Sequence, residues 1–249
     1  MKAIAVIGYH HTGKTTTVVN IVRRLSELGY RVATIKDIHS EKFRADTPGK
    51  NSALHIEAGS NQTVARGLYD TSLIFPRTLA LSEIVPHLSA DFLVIEGMKD
   101  APVPKIVCAK ETKDMEGLLD DTTIGISGII ANSGYKNDTL PIYPIPEETN
   151  ALCEMILARS FELLPAADPD CCSRCGTSCL QMAADILQGK ARREDCVLDG
   201  SPKITLTADG KEVQIVPFVQ DILKDSILAI LKNLRDIPDN ARIEINILP

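Results

Sequence analysis

Nowhere in this chain do lysines and arginines run together long enough to offer a basic stripe to phosphates, and the formal net charge is −6. A general nucleic-acid binder is therefore excluded. No apolar run approaches the length needed to span a bilayer, so no membrane partner is expected. The chain enters its first apolar run almost at once, which leaves no room for a signal peptide, and it reads as cytoplasmic. What remains is a sequence of 249 residues, 44% hydrophobic and 24% charged. That composition belongs to a soluble globular protein with a sizeable core, in one large domain or two smaller ones.

The stretch around which the rest is organised lies near the start: Gly8-Tyr9-His10-His11-Thr12-Gly13-Lys14-Thr15. An apolar run from Ala3 to Ile7 precedes it, and an amphipathic stretch from Val18 to Leu28 follows. This is the Gly-x4-Gly-Lys-Ser/Thr phosphate loop between a strand and a helix. Its glycines let backbone N–H groups close around a polyphosphate, and the helix N-terminus favours negative charge there. Lys14 is expected to reach the terminal phosphates and Thr15 to ligate Mg2+, with Gly8, His10, His11, Thr12, Gly13 and Thr16 completing the nucleotide-contacting set. The chain is expected to bind a nucleoside triphosphate.

Beyond that loop, strands alternate with helices, which predicts a mostly parallel sheet covered on both faces. Arg31 to Lys36 reads as the second strand. A helix is expected over 52–58, short strands near 62–66 and 72–75, and a helix around 78–88. Phe92 to Ile95 forms a buried strand with Glu96 at its carboxyl end, where open α/β sheets bind ligands. A carboxylate there can hold Mg2+ or orient water. Asp46, in Asp46-Thr47-Pro48-Gly49, reads as part of a segment near the terminal phosphate. Further strands are expected near 105–109, 124–131 and 140–145, with a closing helix over 147–164. Asn132 stands where a base-reading side chain could sit, but Asn-Lys-x-Asp is absent, so motif alone does not choose between GTP and ATP. His10, His11 and His39 give weak spacing for a metal site.

Cysteine usage splits the chain. Cys108 and Cys153 stand alone, whereas Cys171, Cys172, Cys175, Cys179 and Cys196 cluster after the proline-bearing linker 165–170. In a reducing compartment such a cluster points to a metal rather than to disulfides. Cys172, Cys175 and Cys179, with Cys196 further on, suit an iron–sulfur (4Fe-4S) cluster. Zinc is the competing reading, and the choice between Cys171 and Cys172 stays open. The stretch Leu180 to Gly189 with Asp195-Cys196 resembles the small Fe–S domains of corrinoid Fe–S proteins and Rnf-type electron-transfer subunits. After it come a hairpin around Asp209-Gly210, a helix over 218–234 and a last strand over 242–248. The organisation expected is therefore a P-loop α/β domain at 1–165 and a small α+β domain at 166–249 carrying the four-Cys loop.

The order of the phosphate loop, Lys36 and His39, then Asp46, Gly49 and Lys50, then Ala58-Gly59, then Asp91 to Gly97 is similar to the MobB family of molybdopterin-guanine dinucleotide biosynthesis proteins. The resemblance covers about residues 1–165. It implies a GTP-binding adapter with at most weak GTPase activity, in which Lys14, Asp46 and Glu96 face the metal and terminal phosphate. It implies as partner a molybdopterin guanylyltransferase or a molybdenum- or tungsten-dependent enzyme, and a homodimer is a further expectation. The alternative reading is an Fe–S adapter or redox module whose nucleotide switches metallocentre assembly for another metalloenzyme.

Overall fold

The computed structural model describes residues 1–47, 49–165, 175–196, 206–208, 211–213 and 217–231. Its contacts divide the chain into two compact units, Met1–Arg193 and Glu194–Pro249, each described by itself.

The first unit is built on five parallel strands. In chain order they are β1 (Lys2–Ile7), β2 (Val32–Lys36), β5 (Phe92–Glu96), β6 (Lys105–Cys108) and β7 (Thr123–Ser127). Their spatial order is β2-β5-β1-β6-β7. Every residue of β5 and β6 is buried, as is β1 from Ala3 onward. This is why their sequences are continuous apolar runs rather than alternating ones. β2 is an edge strand, and its half-exposed pattern shows it.

Alternate residues of each strand feed two cores. On one face Ile4, Val6, Phe92 and Val94 pack with Val18, Ile21 and Leu25 of α1 (Lys14–Glu27) and with Leu152 and Ile156 of α4 (Thr149–Arg159). The opposite face packs Ala5, Ile7, Leu93 and Ile95 with Leu81, Val103 and Met115. Buried apolar area of this extent supplies most of the driving force for folding.

Between β2 and β5 lie α2 (Asn51–Glu57), the strands β3 (Thr63–Arg66) and β4 (Thr71–Ile74), and α3 (Leu81–Ile84). β3 and β4 pair antiparallel in a two-stranded sheet of their own. The helix expected over 78–88 is one α turn followed by a 3-10 turn at Val85–His87. Glu83 caps the start by accepting from Ala80 N at 2.9 Å, and Pro86 has no N–H to continue an α ladder.

The strand expected near 140–145 is reduced to a single parallel bridge between Ile126 and Ile142. Pro141 and Pro144 interrupt any ladder there. The closing helix ends at Arg159 rather than 164. Beyond it Glu162 bridges to Lys2, and Leu163 N donates to Met1 O, so pairing beside β1 overrides helix propensity.

The first unit also takes in α5 (Cys179–Leu187), beyond the boundary expected at 165/166. Leu187 packs against the α1/α4 core, and Leu187 O accepts from Arg159 Nη2 at 2.9 Å. Arg193 Nε donates to Glu162 O at 2.6 Å.

In the second unit β8 (Leu206–Ala208) and β9 (Lys211–Val213) pair antiparallel, and the Asp209-Gly210 turn expected between them lies outside the described residues. α6 (Pro217–Leu231) begins with proline, whose missing N–H costs nothing at a first helical position. Along it Leu223, Ile227 and Leu231 are half-buried, whereas Ile222 and Ile230 are exposed. Leu234 and the last strand expected over 242–248 lie outside the described residues. No helix among the described residues is long and apolar enough to cross a membrane.

Candidate functional site

The strand order decides where ligands can sit. β1 is central, its neighbours β5 and β6 both come from far later in the chain, and all five carboxyl ends face the same way. The loop after β1 therefore opens beside the end of β5, where α/β sheets collect their ligands.

That loop is held from beneath by close backbone packing. A Cβ on Gly8 would come within 2.2 Å of Cys108 O, so β6 presses directly on the loop's first residue. Gly128 seals the other side: its φ is +81°, and a Cβ there would sit 2.2 Å from Thr12 O. Ile129 N donates to that same carbonyl at 3.1 Å. Gly128 is absent from the sequence-based site, although a glycine directly after a buried strand is a recognisable sign of close backbone approach.

Thr12 is buried, and its hydroxyl donates to Tyr9 O at 2.9 Å, so it shapes the loop from within. His10 and His11 are exposed at the tip, and His11 bends the chain with φ 58°. Gly13 and Lys14 begin α1, and Thr15 and Thr16 are exposed in its first turn. Apart from buried Thr12, the phosphate-loop residues singled out from the sequence thus lie along one open rim. Lys14 Nζ donates to Tyr9 O, curled over its own loop. Burial pulls its pKa below the ordinary value; Cys108 and Glu96 act in the opposite sense, and Lys36 adds to the lowering.

Across the rim stands Glu96, the last residue of β5, with 8% of its surface exposed. The Thr15 hydroxyl donates to Glu96 Oε1 at 2.8 Å. A hydroxyl and a carboxylate at this separation are the hard oxygen donors Mg2+ prefers, so these residues fit that ion. Lys36, at the end of β2, also reaches Glu96 Oε1, at 3.2 Å. Sequence reading singled out Lys36 only as part of a family pattern. Its placement opposite Glu96 follows from the β2–β5 register, which no local motif reveals.

Three other residues take definite places. Asp46 Oδ1 accepts from Thr47 N at 2.7 Å, while its Oδ2 is buried without a hydrogen-bond partner. His39 Nε2 lies 2.9 Å from Asp37 Oδ2, which also accepts from Met98 N at 3.2 Å. Asn132 is not free to read a base: Nδ2 donates to Ile145 O and Oδ1 accepts from Ile145 N, both at 3.1 Å.

Beneath the loop Cys108 is fully buried and its thiol is pushed up to about 12 by desolvation, which keeps it protonated and inert. Cys175 and Cys179 flank the turn that starts α5, half-exposed. Cys171 and Cys172 lie outside the described residues, and Cys196 belongs to the second unit. Among the described residues no group of three or more His, Cys, Asp or Glu side chains is placed to hold a metal ion, the trio His10, His11 and His39 included.

Comparison with known proteins gives a consistent result. Residues 3–132 match the family described as "Molybdopterin guanine dinucleotide synthesis protein B". A putative molybdopterin-guanine dinucleotide biosynthesis adapter protein of Methanocaldococcus jannaschii is 30% identical over 256 aligned positions, covering 99% of this chain and 98% of the relative. A probable adapter protein of Bacillus subtilis is 33% identical over 144 positions, 56% of this chain and 83% of its own length. The crystal structure of B. subtilis MobB superposes with a TM-score of 0.53 at 28% identity, covering 62% of this chain and 98% of that one. The part of this chain left over in that superposition is shared with the archaeal relative.

Proposed function

The chain belongs to the molybdopterin guanine dinucleotide synthesis protein B family, and from that premise we propose that it is an adapter for this biosynthesis that binds GTP with Mg2+. The observation that carries the reading is the 2.8 Å contact between the Thr15 hydroxyl and Glu96 Oε1 beside a complete phosphate loop. Backbone N–H groups from Gly8 to Thr16 cradle the phosphates, with His10, His11 and Thr12 setting the loop's shape. Lys14 leaves Tyr9 O to take the terminal phosphates. Thr15 and Glu96 hold Mg2+, which neutralises phosphate charge. Asp46, whose Oδ2 is buried and unpartnered, orients water near the terminal phosphate.

Such a site binds tightly and turns over slowly when no arginine finger is supplied in cis. The partner is a molybdopterin guanylyltransferase or the molybdenum- or tungsten-dependent enzyme receiving the cofactor, met in the cytoplasm. The preference for guanine rests on the family, since no base-reading motif is present.

The same reading extends to a second domain at 166–249 in which Cys172, Cys175, Cys179 and Cys196 bind a 4Fe-4S cluster, zinc being the competing occupant. Donor chemistry supports this: thiolates suit either metal, and Cys179 opens α5 behind the Ser178 cap, where a helix N-terminus favours the charged sulfur.

Calorimetric titration of anaerobically purified protein with Mg2+-GTP and Mg2+-ATP, with Lys14→Ala as control, tests the nucleotide reading. A GTP preference lost in the variant is expected. An ATP preference, or no binding, sinks it. Iron, sulfide and zinc content of the same sample test the cysteine reading.

A further inference from the structure

Glu96 Oε1 serves two donors at once, the Thr15 hydroxyl at 2.8 Å and the Lys36 ammonium at 3.2 Å. The arrangement is set by the sheet rather than by a loop: Lys36 and Glu96 are register partners that close the parallel ladder of β2 and β5. A carboxylate that is nearly buried needs a compensating charge, and in this state the ammonium provides it. A divalent cation taking Glu96 as ligand competes with Lys36 for that same oxygen.

The displaced side chain has somewhere to go. Lys36, Thr15 and Glu96 line an open groove of about 480 Å3 between α1 and β2, together with Val18, Val19, Val22 and Arg23. The Lys36 side chain is 56% exposed there, whereas the side chain of Glu96 is 11% exposed, so the lysine is the partner that moves. Lys36 also lies near enough to Lys14 for the two ammonium groups to repel, which a triphosphate between them would relieve.

We propose that Lys36 is a displaceable second phosphate lysine. It neutralises Glu96 while the site is empty, and on Mg2+-GTP binding it yields that oxygen to the metal and turns its charge to the terminal phosphate. Lys36 thereby becomes a specificity-determining residue for triphosphate over diphosphate. The inference rests on the Mg2+-GTP reading above.

The test is calorimetric titration of the full chain with GTP and with GDP at graded Mg2+ concentrations, in wild type, Lys36→Met and Lys36→Arg. In Lys36→Met, GTP affinity falls about tenfold, as for loss of one partly screened charge-assisted hydrogen bond, while GDP affinity changes by less than about twofold. The Mg2+ concentration that half-saturates GTP binding falls about threefold, because the competing ammonium is gone. Lys36→Arg keeps the preference for GTP.

These two shifts have opposite signs, which a merely structural defect would not produce. Equal weakening of GTP and GDP in Lys36→Met, or a raised Mg2+ requirement, overturns the proposal. Wild type that binds neither nucleotide overturns the underlying reading and takes this one with it; wild type that binds both while Lys36→Met keeps the wild-type ratio overturns this one alone. Thermal unfolding of each variant confirms that the edge strand is intact.

Discussion

The phosphate loop and the cysteine-rich stretch both announce themselves in the sequence, yet the structure answers for them very differently. The loop's chemistry comes from contiguous backbone clamped between buried strands: Gly8 lies against Cys108 O, and Gly128 against Thr12 O. A metal site on the cysteines would have to bring sulfurs together from separate segments; α5 places Cys179 at its start and buries Met182, Ala183 and Ala184. Chemistry carried by one strand-loop-helix unit is legible locally, because forming the unit by itself gathers the phosphate-loop residues. A ligand set gathered from separate segments is written as spacing, and spacing leaves metal, ligand choice and geometry open.

If the two regions are independent in function, single substitutions will separate them. Lys14→Ala should lower GTP affinity about a hundredfold, the upper range for a charged hydrogen bond to phosphate, and leave metal content unchanged. Cys179→Ser should do the reverse, removing most of the bound metal and leaving GTP affinity within about twofold. Calorimetry and metal analysis on both variants check this, and a variant that loses both properties breaks the comparison.

A smaller effect on nucleotide binding, with most of the cost falling on stability, probes how rigidly the loop is clamped. Gly128→Ala places a Cβ against Thr12 O at a φ of +81°. It should cost about 2–4 kcal/mol of stability and loosen nucleotide binding with it. Urea unfolding reads the first effect and titration the second. An unchanged unfolding midpoint would mean that the loop is less constrained than its contacts imply.

The smallest effect on function, though not on stability, is expected below β6. Lys105 is a fully buried side chain whose Nζ lies 2.7 Å from Asp120 Oδ2. Burial alone would push the Asp120 carboxyl up, but hydrogen bonds from Lys105 and Thr122 hold it below its ordinary value. A depressed carboxylate contributes stability that is present above its unfolded-state pKa and is lost as pH falls through the folded-state value. Asp120→Asn should therefore flatten the acid limb of the melting-temperature profile. At neutral pH it should destabilise by about 3 kcal/mol, the cost of leaving a buried ammonium unpaired. GTP affinity should not change.

Much of the fold was readable because apolar runs and caps point the same way. β1, β5 and β6 lie within a residue or two of where the pattern places them, and α1 covers most of the amphipathic stretch from Val18 to Leu28. The misses occur where tertiary pairing or proline outvotes local propensity. Glu162 is drawn beside Lys2 out of an expected helix, and the 140–145 strand survives only as one bridge at Ile142. At the site, Thr15 and Glu96 were legible because each ends or follows a recognisable strand. Lys36 opposite Glu96 was not, since that contact depends on β2 lying next to β5. Asn132 misled for a related reason: its position suited a base, but its amide is spent on the backbone of Ile145.

The central place of β1 has a consequence for how the protein is made. Its sheet neighbours begin at Phe92 and Lys105, so a chain leaving the ribosome carries a finished phosphate-loop sequence that has no flanking strand. Long-range parallel pairing of this kind forms slowly and only after the intervening chain is available. Until Glu96 has emerged and β5 has inserted between β1 and β2, the nascent chain holds Thr15 without its carboxylate partner and exposes an apolar strand. During that interval the first strand is an exposed apolar segment open to aggregation.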